Sequence, residues 1–162
     1  MIGLHLPDEA ASQALAAVLA ASAPAPAVVY LHGDLGSGKS TLARAWLRAL
    51  GVTGTVRSPT YTLVERYPLR SGNEALHLDL YRIGGAAELE YLGLDDAGAG
   101  LWLVEWPGRG AGGLPPPDLD VHLAVAGSGR SARLEPVSEQ GRDWLDRLTL
   151  PEGLRPISEP DP

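Results

Sequence analysis

The stretch GDLGSGKS at 33–40 is the strongest indication of the fold class of this chain, because it fits the pattern G-x-x-x-x-G-K-[S/T] in full. The apolar run AVVYLH at 27–32 precedes it, with the β-branched and aromatic residues typical of a strand buried on both faces. Residues 39–50 follow, with apolar residues at helical spacing and a glycine stop at Gly51. A strand, a glycine-rich turn and a helix in this order predict a phosphate-binding loop.

Each residue type in this loop has a physical reason to be there. Glycines let the backbone curve so that successive N–H groups point at a phosphate, and the following helix adds the positive end of its dipole. Lys39 would reach the outer phosphates as a compact charge, and Ser40 would offer a hydroxyl to Mg²⁺. The candidate nucleotide-binding residues here are Gly33, Gly36, Ser37, Gly38, Lys39, Ser40 and Thr41. The competing interpretation is an ordinary glycine turn with a solvated lysine.

The composition supports a single globular unit. The chain has 162 residues, 44% hydrophobic and 20% charged, which predicts one domain over 1–150. Residues 151–162 are rich in proline and acid, so we expect a disordered tail there. Cysteine is absent, and the scattered histidines indicate no metal-ligand cluster. With no apolar span and no signal peptide, the sequence predicts a soluble cytoplasmic protein with no membrane partner.

The charge distribution argues against a direct grip on nucleic acid. The net charge is −7 and no cation-dense run exists, whereas phosphate backbones are held by clustered cations. Lys39 is the single lysine among 13 cationic residues. A lysine retained in so arginine-rich a chain suggests a position where a planar guanidinium would not serve.

The remaining periodicities predict an α/β fold of the P-loop NTPase type, with three layers, a mixed but mostly parallel central sheet and a late antiparallel hairpin. Helices are expected at 8–21, 39–50, 86–92 and 139–150. Strands are expected at 27–32, 61–67, 75–80 and 101–105, and the hairpin strands at 119–126 and 131–137.

Two acidic residues at strand ends are candidates for the second half of the site. Glu105 ends the apolar run at 101–104, and Asp79 lies on the strand face opposite three leucines, together with His77. A P-loop needs an acid that holds Mg²⁺ or orients water, a role usually filled by aspartate. Glu105 would therefore be an atypical Mg²⁺ ligand, and it could instead be the base or orienter for the attacking water. Either acid could also be an ordinary solvent-exposed residue at the end of a strand.

Three further features stay open at this level. The polar segment 57–62, which contains Thr60, is either a γ-phosphate-sensing switch or a plain connector. His77 is expected to be packed or hydrogen-bonded rather than catalytic. Trp106 either covers a ligand or partner, or packs in the core.

Six segments in this order resemble the TsaE (YjeE) family: GDLGSGKSTLARAWLRALG, SPTYTLVERY, HLDLYRI, ELEYLGLDD, LVEWP and LPPPDLDVHL. The resemblance runs from about Leu6 to Glu135 and leaves the C-terminal tail outside. H-x-D-x-Y-R and E-W-P, together with the loop, are far more specific than the loop alone.

The resemblance implies a bacterial cytoplasmic ATPase that binds ATP and Mg²⁺ and docks on a complex of TsaB and TsaD. That complex transfers threonylcarbamoyl to the N6 of adenosine-37 in tRNA, so this protein would meet tRNA only indirectly. By motif, Lys39 would bind phosphates, and Ser40 and Glu105 would hold Mg²⁺. Thr60 and Asp79 would complete the nucleotide-responsive catalytic site, and Glu9 resembles a position near the nucleotide base. Ser40 stands where the family frequently has threonine, and the hairpin residues Arg130 and Arg133 match the family pattern only loosely.

Two rival functions share this fold class. A small-molecule kinase would need an acceptor site and an arginine-bearing lid, and no arginine-dense insert is visible. A nucleotide-gated interaction module would bind nucleotide tightly without turnover even beside its partners.

Overall fold

A computed structural model describes residues 1–94 and 98–157 of the chain. These residues form one eight-stranded sheet with α-helices and two 3₁₀ helices. The strands are β1 (Ile2–Leu6), β2 (Ala27–His32), β3 (Val64–Pro68), β4 (Glu74–Asp79), β5 (Ala99–Glu105), β6 (Leu119–Ala126), β7 (Gly129–Pro136) and β8 (Arg155–Pro156). The helices are α1 (Glu9–Ser22), α2 (Lys39–Ala49) and α3 (Glu139–Arg147), with 3₁₀ helices at Ala86–Leu92 and Pro107–Gly110.

The strand order is β3-β4-β5-β2-β6-β7-β1-β8. The three central pairings, β4–β5, β5–β2 and β2–β6, are parallel. The four outer pairings, including the β6–β7 hairpin, are antiparallel. This confirms the predicted fold class, a mixed sheet with a late antiparallel hairpin. Parallel pairing is confined to the middle of the sheet rather than making up most of it, because strands β1, β3, β7 and β8 add antiparallel pairings at the edges. Since neighbouring parallel strands end at the same edge of a sheet, the last residues of β2, β4 and β5 lie close together at that edge.

Different layers cover the two faces of the sheet. The three α-helices bury their apolar stripes on one face, where Trp46 and Trp144 meet edge to face with centroids 5.9 Å apart. On the other face, over β3, β4 and β5, the leucines of β4 pack with Ile83 and Leu89 from the connection that contains the first 3₁₀ helix. The leucines therefore occupy one face of β4, and His77 and Asp79 occupy the other, as predicted.

Most predicted elements are confirmed within a few residues. Strand β3 begins at Val64 rather than 61, and β7 begins at Gly129 because the hairpin turn is shorter than expected. The predicted short helix at 86–92 is a 3₁₀ helix. Strand β1 is absent from the predictions, although Ile2, Leu4 and Leu6 alternate as a half-buried strand requires.

The expectation of a tail disordered from 151 is wrong for residues 151–157. Leu154 is 4% exposed and belongs to the helix-side core. Strand β8 pairs with β1, and the Ile157 amide donates to the Gly3 carbonyl oxygen at 2.8 Å. The otherwise unpaired edge of β1 supplies these backbone partners, which composition alone does not reveal. Positions 95–97, including the end of ELEYLGLDD, and the tail positions 158–162 lie outside the described residues.

We expect Leu154→Ala to lower the free energy of unfolding by about 2–4 kcal/mol, because it leaves a cavity in a closed core. Ile157→Ala is the matched control, since this side chain is 46% exposed and its backbone bond remains. Ile157→Ala should lower the free energy of unfolding by less than about 1 kcal/mol. Urea unfolding followed by tryptophan fluorescence measures both. Equal losses would show that Leu154 does not anchor the segment.

Within 1–94 and 98–157, no helix is both long and apolar enough to span a membrane.

Candidate functional site

A cavity of about 350 Å³ opens where the central parallel strands end. It brings together most of the residues nominated from the sequence, namely Gly36, Ser37, Gly38, Lys39, Ser40, Thr41, Thr60, Asp79 and Glu105. It also includes five residues outside the predicted set: Asp34, Leu35, Tyr81, Trp106 and Arg130. Gly33 lines an adjoining cavity of about 470 Å³ instead.

The loop's glycines adopt the backbone that the motif requires. Gly33 has φ 148° and Gly38 has φ 104°, in the region that side chains disfavour. A Cβ on Gly33 would collide with the Ser37 side chain and the Leu123 carbonyl oxygen. Gly38 is the N-cap of α2, so the first amides of this helix face the cavity mouth. The loop is therefore a curved amide cradle at a helix N-terminus.

The Lys39 side chain is buried within the loop and is not exposed to solvent. Its side chain is 5% exposed, and Nζ donates to the Gly33 carbonyl oxygen and, at 3.1 Å, to that of Asp34. The ammonium also lies 4.2 Å from the centroid of the Trp106 ring, within cation–π range. Burial lowers the pKa of Lys39, and nearby carboxylates, chiefly Glu105, oppose that shift. This geometry excludes the solvated lysine that the sequence left open.

Glu105 is held on both sides of its carboxylate. Ser40 Oγ donates to Oε1 at 3.0 Å, and His77 Nε2 lies 2.6 Å from Oε2. Both His77 and Glu105 are 2% exposed, so neither is a solvated strand end. His77 thus fulfils the expectation of a hydrogen-bonded residue, and its partner is the acid itself. A carboxylate fixed by two neighbours is a preorganised acceptor.

Asp79 lies next to Glu105, at the matching register position of the adjacent strand. It is 8% exposed, and its Oδ1 accepts the Tyr81 amide at 3.0 Å. Asp79 and Ser40 line the same cavity. Both acids therefore remain candidates for the same region, and the structure excludes a solvated role for each.

Trp106 combines the two roles that the sequence left as alternatives. It lines the cavity and packs against the smaller hydrophobic core. Its backbone is left-handed, with φ 56°, a conformation that costs a non-glycine residue about 1 kcal/mol. That turn places the indole beside Lys39 and 5.0 Å from the Tyr81 ring. Strain of this kind is typical of functional sites.

The segment 57–62 contributes one residue to the cavity lining. Thr60 reaches it, and its hydroxyl pairs with Ser58 Oγ at 2.7 Å. Tyr61 points outward, 80% exposed, beneath the Arg82 guanidinium. The structure supports a site role for Thr60 alone and leaves the switch hypothesis a prediction.

A side cavity of about 240 Å³ lies beside the loop and contains Glu9. It shares Gly38, Thr41 and Arg130 with the main cavity. Within the described residues, Arg130 Nε is buried without a hydrogen-bond partner. Arg130 matches the family pattern only loosely in sequence, yet it lines both cavities, because strand β7 folds back beside the loop. The sequence signal for it was only its place at the hairpin turn.

The donor set at the cavity suits Mg²⁺. The Ser40 hydroxyl and the carboxylates of Glu105 and Asp79 are hard oxygen ligands, which Mg²⁺ prefers while retaining several waters. Ser37 Oγ is a further buried hydroxyl with no partner among the described residues. The residues present therefore fit a magnesium-bound phosphate group.

The fold and loop define the chain as a P-loop NTPase-like α/β protein. The family model described as "Threonylcarbamoyl adenosine biosynthesis protein TsaE" matches residues 6–133. The chain therefore belongs to the TsaE family, whose proteins take part in threonylcarbamoyladenosine biosynthesis in tRNA.

Individual relatives agree with this assignment. The chain is 39% identical to the tRNA threonylcarbamoyladenosine biosynthesis protein TsaE of Haemophilus influenzae over 75% of this chain and 78% of that protein. It is also 39% identical to the Bacillus subtilis TsaE, over 75% of each chain. The crystal structure of Bacillus subtilis YdiB superposes with a TM-score of 0.73 at 26% identity, covering 90% of this chain and 94% of that one.

Proposed function

We propose that this protein binds and hydrolyses ATP with Mg²⁺ in the cytoplasm, and that it thereby sustains formation of N6-threonylcarbamoyladenosine at adenosine-37 of tRNA by a TsaB–TsaD complex. The observation that carries the proposal is the convergence of Lys39 and the Ser40–Glu105 pair on one cavity behind a glycine cradle. Membership of the TsaE family supports the pathway.

The cradle and Lys39 supply the binding of the triphosphate. Loop amides and the α2 N-terminus present positive ends of dipoles to phosphate oxygens. Lys39 exchanges its bonds to the Gly33 and Asp34 carbonyl oxygens for bonds to the outer phosphates, which are stronger acceptors. The low exposure of Lys39 makes this charge contact worth more than it would be in water.

Glu105 is the acid that acts at the reacting end. Ser40 and Glu105 would hold Mg²⁺, which when bound neutralises phosphate charge. His77 is a positioning residue: its ring fixes Oε2 of Glu105 and thereby the direction of the other oxygen. Asp79 and Thr60 face the same space and can orient the attacking water.

The proposed contact with tRNA is indirect. The chain carries a net charge of −7 and no cation-dense run in its sequence, whereas binding to a nucleic-acid backbone with counterion release depends on clustered cations. A protein of this charge is suited to acting on other proteins rather than on an RNA backbone.

Reconstitution tests the proposal. Purified protein is mixed with TsaB, TsaD, tRNA, threonine and the enzyme that makes the threonylcarbamoyl-adenylate, and both modified tRNA and released phosphate are measured. We expect nucleotide-dependent co-elution with TsaB and TsaD, a changed ATPase rate, and multiple rounds of tRNA modification only when ATP is hydrolysed.

Other outcomes assign other functions. Phosphate transfer to a small molecule without effect on tRNA would identify a kinase. Full support of modification by a non-hydrolysable ATP analogue would identify a nucleotide-gated module. No co-elution under any nucleotide condition would contradict the partner assignment.

A further inference from the structure

A second polar cluster lies on the sheet face away from the α-helices, and one of its members, His32, lines the adjoining cavity together with the 3₁₀ helix Pro107–Gly110. Leu31, Val121 and Leu134 turn into the helix-side core from β2, β6 and β7. Because side chains alternate along a strand, their neighbours turn to the opposite face. These neighbours are His32, Asp120, His122 and Glu135.

The register of three strands brings these four side chains together. His32 and His122 are direct partners on adjacent parallel strands, and their rings stack with centroids 4.6 Å apart and planes 13° apart. His32 Nε2 lies 2.8 Å from Asp120 Oδ1, and His122 Nε2 lies 3.4 Å from Glu135 Oε2. The sequence analysis gave no sign of this cluster, because His32 and Asp120 are 88 residues apart in the chain and meet only across the sheet.

The spacing of the ligand atoms is that of a metal site. One ligand atom from each of His32, Asp120 and His122 lies within 4.8 Å of the others. Two ligands of a tetrahedral zinc ion lie about 3.3 Å apart, given bonds of about 2.0 Å. The two nitrogen–oxygen distances, 2.8 Å for His32–Asp120 and 3.4 Å for His122–Glu135, lie on either side of that value.

We propose that His32, His122 and Asp120, with Glu135 as the fourth ligand, bind one transition-metal ion of the Zn²⁺ class. Two imidazoles and two carboxylates form a donor set that suits Zn²⁺, Co²⁺ or Ni²⁺ better than Mg²⁺, which prefers oxygen alone. The site is separate from the Ser40–Glu105 site.

Charge and access support this assignment. Arg133, the register partner of His122, places a guanidinium on the same face, and the two carboxylates offset it and leave a net attraction for a dication. The side chains of His32, Asp120 and His122 are 33%, 21% and 32% exposed, so an ion can enter from solvent without opening the core.

The ion would tie β2 to β6 at the residue that precedes the glycine loop. His32 is followed directly by Gly33, and a ligated His32 cannot swing away from β6. Binding to the folded state alone raises stability in proportion to the logarithm of metal concentration. The proposal does not depend on ATP hydrolysis.

The test uses the full chain, stripped of metal and titrated with Co²⁺ in excess Mg²⁺. We expect visible d–d absorption that saturates at one equivalent, loss of that absorption on addition of Zn²⁺, and a higher Tm with Zn²⁺. His122→Ala and the isosteric Asp120→Asn should each weaken binding at least tenfold. His5→Ala is the matched control, because His5 is exposed on the same face of the sheet outside the cluster.

Two results would overturn the proposal. The first is the absence of saturable Co²⁺ absorption, or a loss in His5→Ala equal to that in His122→Ala. The second is loss of binding in Ser40→Ala, which would place the ion at the nucleotide site. Asp120→Asn keeps the assay decisive if His122→Ala fails to fold, and a Ser40→Ala variant that keeps the metal but loses ATP turnover separates the two sites.

Discussion

Lys39→Ala is expected to weaken MgATP binding about 100-fold, because a charge-assisted phosphate contact in a buried cradle contributes about 3 kcal/mol. ATP turnover should fall by a further ~10²-fold, since the same ammonium stabilises charge that develops in the transition state. Calorimetry measures the affinity and phosphate release measures the turnover. Lys39 is the single lysine of the chain, so another ammonium cannot replace it.

The matched control is Arg44→Ala, which removes an exposed cation from the same helix. It should leave affinity within about twofold, because an exposed charge is screened by solvent. Lys39→Arg separates charge from shape: it should bind more weakly than wild type, because the planar guanidinium does not fit a cradle built for a compact ammonium. Wild-type affinity in Lys39→Ala would remove the basis of the nucleotide site.

Glu105→Gln is expected to lower kcat by about 10²–10³-fold while ATP affinity stays within about threefold. The substitution keeps the shape of the side chain and one carbonyl oxygen that can accept from Ser40 or His77, but it removes the negative charge. The loss should therefore fall on the Mg²⁺-dependent chemical step. Rates at saturating ATP over a range of Mg²⁺ concentrations, together with binding by calorimetry, separate the two effects.

Asp79→Asn is the comparison that decides between the two acids. Asp79 lies on the strand next to Glu105, at the paired register position, and an asparagine there can still accept the hydrogen bond from the Tyr81 amide. We expect a smaller loss of kcat than in Glu105→Gln, because Asp79 lacks the contact with the Ser40 hydroxyl. Normal turnover in Glu105→Gln with a large loss in Asp79→Asn would transfer the principal role to Asp79.

The site divides into what local sequence predicts and what it does not. The loop at 33–40, its flanking strand and helix, and the placement of Asp79 and Glu105 at strand ends follow from patterns within about ten residues. The structure brings residues 34–40, Asp79 and Glu105 to one cavity, with Gly33 in the adjoining one. Their chemical roles remain predictions that the variants above test.

The contacts that refine the site join distant segments. The partner of Glu105 is His77, 28 residues away, and Arg130 reaches the loop only because β7 folds back on β6. The docking of 151–157 on β1 likewise needed an edge strand that the sequence analysis had not assigned. Composition and periodicity carry no information about which strands become neighbours.

The strand, the amide cradle and the helix around Lys39 are predictable from local sequence, because backbone freedom at glycine and apolar periodicity act over a few residues. Three contacts are visible only in the tertiary structure. These are the hydrogen bond from Ser40 to Glu105, the contact of His77 with that carboxylate, and the stacking of His32 on His122. Those pairings depend on strand order and register, which are set by packing the whole sheet at once, and a shift of one residue would turn each side chain to the other face.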